Sequence, residues 1–246
     1  MSKHATLNGK TAWITGASRG IGRAIAVALT REGVTVCAGA RSIAELQQLS
    51  TVMKSEDKIV HPLELDVASR DSVDAFAEKA LEIAGPPSIV VNSAGLGIWK
   101  DIDQLEPEDF DRQIDVNLKG SWYVARAAVP HLKRLGNGHI INISSIAGRV
   151  AFRRGTGYCA SKAGVNAMSE ALVHELRDFG IRVTTIAPGS VETGFHAQAL
   201  SSAHHGDMDW MLEPDTIAKA VLHVLSLPDE ALVNYYEVRP LKPAKK

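Results

Sequence analysis

Short apolar runs rich in β-branched residues alternate along the chain with longer segments in which apolar positions recur at helical spacing. The short runs predict strands at Thr11–Thr15, Val34–Gly39, Ile59–Leu65, Ile89–Asn92, His139–Ser144, Ile181–Ile186 and Leu232–Val238. The longer segments predict helices at Ile21–Arg31, Ile43–Met53, Ser72–Ile83, Pro107–Leu135, Tyr158–Phe179 and Pro214–Leu225. Because such alternation builds parallel sheets with helices on both faces, we expect an α/β fold with one doubly wound parallel sheet of about seven strands. No linker or repeat divides the chain, so residues 1–246 are predicted to form a single domain.

Two of the predicted helices are apolar over more than one stripe of their surface. Pro107–Leu135 carries Ile114, Leu118, Trp122, Ala125 and Val129. The apolar surface of Tyr158–Phe179 is similarly wide. A helix that is apolar around much of its circumference must be covered on more than one side. The sheet covers one side, and we expect a second subunit to cover the other, in a homotetramer or a homodimer.

Composition and charge exclude several other classes of protein. Lys and Arg number 27 against 28 Asp and Glu, so neither a basic nor an acidic surface indicates a nucleic-acid partner. No apolar run approaches the length of a membrane span, and Cys37 and Cys159 have no metal-binding spacing. We therefore expect a cytoplasmic protein with no membrane partner and no metal.

The first predicted strand runs through a glycine-rich turn, Thr15–Gly22, into an alanine-rich helix. Glycines allow the backbone to approach a pyrophosphate closely, and a helix N-terminus offers N–H groups and the positive end of its dipole. The spacing is GxxxGxG, which alone is weak, but strand, turn and helix together predict a dinucleotide site of the Rossmann type.

The end of the second strand indicates which dinucleotide is bound. Proteins that bind NAD place a carboxylate there for the ribose 2′-hydroxyl, about 20 residues beyond the glycines. This chain has Ala40 followed by Arg41, and Arg19 lies in the glycine turn. Two guanidinium groups can neutralise a 2′-phosphate, so the sequence favours NADP(H) over NAD(H).

Tyr158 and Lys162 lie four residues apart, which places a phenol and an ammonium on one helix face. A nearby cation is expected to lower the pKa of the phenol and to suit it for proton transfer to an alcohol or carbonyl oxygen. Such a pair alone is common, but other motifs accompany it. Hydroxyl, amide and glycine residues follow three predicted strands, at Ser144-Ser145, Asn92–Gly95 and Pro188-Gly189, on the edge where such sheets bind ligands.

With these motifs in order, the sequence resembles the short-chain dehydrogenase/reductase family along nearly its whole length. The motifs are the glycine turn, Asp66-Val67, Asn92–Gly95, Asn117, Ser144-Ser145, the Tyr158/Lys162 pair, and Pro188-Gly189 with Thr193. The resemblance implies an NADP(H)-dependent oxidoreductase that transfers a hydride between nicotinamide and a small-molecule carbonyl or alcohol. Its implied catalytic residues are Asn117, Ser145, Tyr158 and Lys162. Its implied cofactor contacts are Gly16, Ser18, Arg19, Gly20, Ile21, Gly22, Arg41, Asp66, Val67, Asn92, Ala94, Gly95, Tyr158, Lys162, Pro188, Gly189, Val191 and Thr193.

The resemblance also implies individual roles. Tyr158 would be the general acid or base, and Ser145 would hydrogen-bond the substrate oxygen. Lys162 would hold the nicotinamide ribose and depress the pKa of Tyr158. Asn117 would shape its helix and support a water relay, and Asp66 would contact adenine. Asn92 would border the cofactor, and Thr193 would meet the carboxamide.

Substrate features are less specific. A substrate lid is expected at about residues 194–211, including Phe195, His196, Met208, Trp210 and Met211. Trp99 and Phe152 are candidate pocket walls or core residues. Arg149, Arg153 and Arg154 either attract an anionic substrate or form a solvated loop. His204 and His205 are expected to be solvated.

Two alternative functions remain. The first is a 3-oxoacyl-[acyl-carrier-protein] reductase, although the tail Asn234–Pro240 lacks the Gly-Gly ending of many such enzymes. The second is a sensor that binds NADP(H) without turnover.

Overall fold

The computed structural model describes residues 6–195, 199 and 210–242. Its centre is a sheet of seven parallel strands in the order β3-β2-β1-β4-β5-β6-β7. The strands are β1 (Thr11–Thr15), β2 (Thr35–Ala40), β3 (Val60–Glu64), β4 (Ile89–Asn92), β5 (Gly138–Ile143), β6 (Ile181–Pro188) and β7 (Tyr235–Val238). The predicted doubly wound sheet of about seven strands is therefore confirmed.

The helices are α1 (Gly20–Arg31), α2 (Ile43–Lys54), α3 (Arg70–Ala84), α4 (Pro107–Ile114), α5 (Gly120–Leu135), α6 (Thr156–Leu176) and α7 (Pro214–Ser226). They cover both faces of the sheet, and alternate strand residues serve opposite faces. In β1, Ala12 and Ile14 pack in one core with α1, α2 and α7. Trp13 points the other way and packs in a second core with α3, α5 and α6. This period of two is what a strand buried on both faces requires.

The predicted helix Pro107–Leu135 is not one regular α-helix. A π-helical segment, Asp115–Lys119, joins α4 to α5 without a break in the backbone. Gly120, the next residue, packs closely against Val67. A Cβ built at Gly120 would lie only 2.8 Å from the Val67 Cβ. Such π-helical segments are rare and frequently lie at functional sites.

The two edges of the sheet are β3 and β7. The edge strand β3 contains Pro62, which pairs in register with Ala38 of β2. Strand β7 is shorter than predicted: it begins at Tyr235 and not at Leu232.

The expected lid lies largely outside the described residues, including His196, His204, His205 and Met208. Within the expected lid only residues 194, 195, 199, 210 and 211 are described, and just beyond it Leu212 forms a parallel bridge with Val191. Among the described residues, no helix is long and apolar enough to cross a bilayer. Nor does that part of the chain bring three His, Cys, Asp or Glu side chains together as a metal site.

Candidate active site

A cavity of about 850 Å³ opens along the carboxyl ends of the central strands. It straddles β1 and β4, where the strand order reverses, the position at which open α/β sheets bind ligands. Most of the predicted site residues line this cavity: Gly16, Ser18, Arg19, Gly20, Ile21, Gly22, Arg41, Asp66, Val67, Ala94, Gly95, Ser145, Tyr158, Lys162, Pro188, Gly189, Val191 and Thr193. Asn92 and Asn117 do not.

The glycine turn is shaped by contacts that exclude side chains. Gly16 has a φ of +66°, and a Cβ there would lie 2.8 Å from the backbone of Ala94. A Cβ at Gly22 would lie 2.3 Å from the Gly16 carbonyl oxygen. The N-cap residue of α1 is Arg19, whose side chain makes no capping hydrogen bond with the first turn. The first turn, Gly20 to Gly22, therefore faces the cavity as a cradle that fits a pyrophosphate.

The end of the cavity next to the carboxyl end of β2 carries the positive charge that the sequence predicts. Arg19, Arg41 and Ser42 line it, and Ala40 stands where an acidic residue would meet a ribose hydroxyl. Glu45, which the sequence analysis did not select, lies in the same wall. These residues fit a nucleotide that carries a 2′-phosphate.

Tyr158 and Lys162 lie on the first turns of α6, with only 8% and 5% of their surfaces exposed. Ser145, beyond the end of β5, lines the same part of the cavity, and its hydroxyl accepts from the Ala147 N–H at 3.1 Å. The Lys162 Nζ donates to the Ile143 carbonyl oxygen at 2.9 Å and lies 5.9 Å from the centre of the Tyr158 ring. The structure thus brings the three residues together on one cavity wall.

The ionisation of this pair differs from the sequence-based expectation. Burial raises the pKa of Tyr158 to about 12, and the nearby Ser145 hydroxyl only partly opposes this shift. Burial also lowers the pKa of Lys162 to about 8. The expected depression of the Tyr158 pKa by Lys162 is therefore wrong for this structure. Removal from water disfavours both charged forms, and the ammonium is directed at a carbonyl oxygen, not at the phenol.

Asn117 lies in the π-helical segment, behind the cavity wall and 1% exposed. Its Oδ1 accepts from the Leu96 N–H at 2.8 Å, and its Nδ2 donates to the Leu96 carbonyl at 2.9 Å. Nδ2 also donates to the Ser161 hydroxyl, which donates to the Tyr158 carbonyl. Asn117 therefore positions the Leu96 loop against the helix of Tyr158, and its expected water relay stays a prediction.

Comparison with known proteins agrees with this geometry. The family model described as short chain dehydrogenase matches residues 10–203. The chain belongs to the short-chain dehydrogenase family. It is 37% identical to uncharacterised oxidoreductases of Staphylococcus aureus and Staphylococcus saprophyticus, over 96% of this chain and 99% of each of theirs.

Solved structures of other oxidoreductases superpose closely on the chain. An alcohol dehydrogenase from the archaeon Thermococcus sibiricus, complexed with 5-hydroxy-NADP, is 35% identical with a TM-score of 0.88, covering 96% of this chain and 99% of its own. A metagenomic short-chain oxidoreductase in complex with NADP is 32% identical with a TM-score of 0.84, covering 97% and 100%.

One residue predicted to contact the cofactor of this short-chain dehydrogenase is buried behind the cavity wall. Asn92 is 3% exposed and lies beneath the site, not on the cavity wall. Its Nδ2 donates to the Asn142 Oδ1 at 2.8 Å, and the Asn142 Nδ2 donates to the Ser169 hydroxyl at 2.8 Å. This chain of hydrogen bonds joins β4, β5 and α6. Asn92 therefore holds the elements of the site together, and its contact with the cofactor stays a prediction.

Several residues that shape the short-chain dehydrogenase site were not predicted from the sequence. The Thr15 hydroxyl accepts from the N–H groups of Ser93 and Ala94, at 3.1 and 3.0 Å, and so fixes the loop after β4. Gln113, with no exposed surface, accepts from the Ile98 N–H at 2.9 Å. A threonine at the end of a strand and a single glutamine in an amphipathic helix are both common, so neither residue type indicates a role at a site.

The three arginines that precede Tyr158 have different surroundings. Arg149 lies outside the cavity lining, with its guanidinium 3.4 Å from the centre of the Tyr235 ring. Arg153 and Arg154 line the cavity, and both pair with Asp101, at 3.4 and 3.6 Å. The Asp101 carboxylate offsets part of their charge, so they do not form an isolated anion site.

Proposed function

We propose that the protein is an NADP(H)-dependent oxidoreductase that reduces a carbonyl group, with Tyr158 as the proton donor. The observation that carries this proposal is that Tyr158, Ser145 and Lys162 share one wall of a cavity shaped for a dinucleotide. The family makes the protein an oxidoreductase, and the residues on that wall indicate the group on which it acts.

The cofactor assignment rests on the residues at the nucleotide end of the cavity. Arg19 and Arg41 supply positive charge, and no carboxylate stands at position 40 to repel a 2′-phosphate. Two similar short-chain oxidoreductases are complexed with NADP or 5-hydroxy-NADP. Bound NADPH would supply the hydride for carbonyl reduction.

The chain's own groups then stabilise the charge that develops on the substrate oxygen. Tyr158 donates a proton to that oxygen, and the Ser145 hydroxyl offers a second hydrogen bond. Lys162, protonated below a pH of about 8, places a positive charge nearby. Asn117 and Ser161 hold the start of α6, so that the phenol keeps its direction.

The protonation state of Tyr158 is compatible with its role as the proton donor. With its pKa raised to about 12, the phenol remains protonated at neutral pH. The protonated form is the proton donor, whereas oxidation of an alcohol needs the phenolate as a base.

Replacing Tyr158 by Phe tests the proposal. The ring stays and only the hydroxyl is lost, so kcat should fall by roughly 10²- to 10⁴-fold, the usual contribution of general acid catalysis. The dissociation constant for NADPH should stay within about twofold, because the cradle of the glycine turn is untouched. Both constants are measured by NADPH absorbance and fluorescence, over a panel of ketones, aldehydes and hydroxy acids.

Tyr123→Phe is the matched control, since Tyr123 lies on α5 away from the cavity lining. It should change neither constant. Full turnover by Tyr158→Phe would remove the assignment of the proton donor. NADPH binding without turnover of any compound by the unmodified protein would favour a cofactor-binding sensor.

A further inference from the structure

Four aromatic rings meet at the substrate end of the cavity, and Tyr158 is one of them. The Trp99 and Phe152 rings are 5.2 Å apart at an interplanar angle of 81°, an edge-to-face pair. The Tyr158 ring lies 6.5 Å from Trp99, 6.4 Å from Phe152 and 5.5 Å from Phe195. All four line the cavity. We call Trp99, Phe152 and Phe195 the aromatic cluster.

Two glycines leave the space that these rings occupy. A Cβ at Gly155 would lie 2.7 Å from the Phe152 Cζ, and a Cβ at Gly97 would lie 2.9 Å from the Phe195 ring. A side chain at either glycine would collide with the ring that faces it. The backbone at Gly155 and Gly97 therefore leaves room for both rings beside Tyr158.

The loop that carries Trp99 is held at four backbone N–H groups. Asn117 accepts from Leu96, and Gln113 accepts from Ile98. The Trp99 N–H donates to the Ala199 carbonyl at 2.9 Å, and the Lys100 N–H donates to the Arg154 carbonyl at 3.1 Å. A loop fixed in this way presents its indole in one place, and a preorganised wall discriminates between ligands better than a mobile one.

The open side of the aromatic cluster is apolar. Phe152 is 40% exposed and Val150 is 55% exposed at the cavity wall. Exposed rings beside a cleft are typical of a surface that a ligand covers. Arg153 and Arg154, which line the cavity next to Phe152 in the sequence, are paired with Asp101. Apolar and aromatic contact therefore outweighs attraction for an anion.

We propose that the aromatic cluster is the subsite for an aryl group attached to the substrate carbonyl, so that the substrate class is uncharged aryl ketones or aryl aldehydes. This inference rests on the proposed carbonyl reduction at Tyr158. The carbonyl oxygen meets Tyr158 and Ser145, while the aryl ring packs against Trp99, Phe152 and Phe195. Edge-to-face ring pairs favour an aromatic over a saturated ring of the same size.

The experiment compares acetophenone, cyclohexyl methyl ketone, 2-butanone and pyruvate as substrates with NADPH. We expect kcat/KM for acetophenone to exceed that for cyclohexyl methyl ketone by about 2- to 10-fold, the advantage of aromatic pairing. It should exceed that for 2-butanone by roughly 10- to 200-fold, because the small ketone leaves the subsite unfilled. Pyruvate tests the anionic alternative and should be the poorest of the four.

The variant Phe152→Leu keeps an apolar side chain but removes the ring. The ratio of kcat/KM for acetophenone to that for cyclohexyl methyl ketone should fall toward unity. The matched control is Phe179→Leu, whose ring is 44% exposed, close to the 40% of Phe152, but lies outside the cavity lining. This control should leave the ratio unchanged.

A binding measurement separates failure of the inference from failure of the proposed function. Calorimetry with the Tyr158→Phe protein and saturating NADP⁺ should give tighter binding of acetophenone than of cyclohexyl methyl ketone. Equal binding of the two, or a ratio that Phe152→Leu does not move, overturns the aryl subsite whether or not ketones are reduced. Tighter acetophenone binding with no turnover of any carbonyl by the unmodified protein would leave the subsite standing and overturn the reductase assignment.

Discussion

At the scale of single residues, the choice of nucleotide depends on the side chains at the end of β2. Ala40 and Arg41 lie in the cavity wall together with Arg19. A hydrogen bond to a charged group contributes about 1.5–3 kcal/mol, so one arginine can alter the preference between two nucleotides by roughly 10- to 100-fold.

The double variant Ala40→Asp with Arg41→Leu should therefore lose most of its preference for NADPH over NADH. It removes a cation from the 2′-phosphate and offers a carboxylate to the ribose hydroxyl. Fluorescence titration of both cofactors measures the change. Arg70→Leu, an exposed arginine of α3 outside the cavity lining, is the control and should keep the preference. Tighter binding of NADH than of NADPH by the unmodified protein contradicts the assignment.

The sequence predicted which residues meet at the site but not their ionisation. Tyr158 and Lys162 share a helix face through their spacing alone, so their proximity is a local property. Their pKa shifts come from burial by β5, α6 and the surrounding loops, which no local pattern reports. Asn92 is a second example. The sequence shows an amide side chain at this position, but it does not show that the amide binds Asn142, 50 residues away.

At the scale of elements, the segment from α4 to α5 holds the loop after β4. Gln113, at the end of α4, and Asn117, in the π-helical segment, bind neighbouring residues of that loop. The sequence predicted one helix from Pro107 to Leu135 because the apolar spacing continues through the π-helical segment. That segment rotates the positions after it, and tertiary contacts with Leu96 and Ser161 accompany this local change.

Gln113→Met should lower the free energy of unfolding by about 1–3 kcal/mol, because the Ile98 N–H loses its acceptor while the side-chain volume is kept. Urea denaturation of this variant, beside Gln104→Met, measures the effect. Gln104 is exposed and its side chain donates to Asp103 at 3.5 Å, so its substitution should be nearly neutral. An unchanged midpoint for Gln113→Met would show that water satisfies the Ile98 N–H.

At the scale of the whole molecule, a buried histidine limits stability in acid. His139 is a residue of β5, which lies between β4 and β6, and it is 2% exposed. Burial lowers its pKa from 6.5 to about 3. The Thr184 hydroxyl donates to the Val233 carbonyl, so it accepts from the His139 Nε2, which must carry the hydrogen. Protonation would then add a hydrogen at Nδ1, which has no hydrogen-bond partner among the described residues.

This depressed pKa predicts the direction of the pH dependence. Below pH 6.5 the unfolded chain takes up a proton at His139 while the folded chain does not, so stability falls as the pH falls toward about 3. Between pH 7 and pH 5 the loss from this group should be about 2 kcal/mol. Urea denaturation at both pH values should show a smaller loss for His139→Asn than for the unmodified protein. His174→Gln, on the exposed face of α6, should retain the full loss.

The expected homotetramer or homodimer stays a prediction. Trp122 on α5 is 46% exposed, which is high for a large aromatic side chain. A second subunit that covers this face should give a mass of two or four times 26.4 kDa by light scattering at micromolar concentration. A single species at the mass of one chain contradicts it.

The proline in the edge strand β3 has a consequence for how the sheet ends. Along a parallel strand, alternate residues direct their N–H groups to opposite sides. Pro62 fits into β3 because its nitrogen can face away from β2, so the outward row of donors has a gap at its centre. A foreign strand that approached this edge would find its ladder interrupted after one or two bonds. The sheet is thus blocked from growing into an intermolecular aggregate on this side, a protection most needed while the chain is only partly folded.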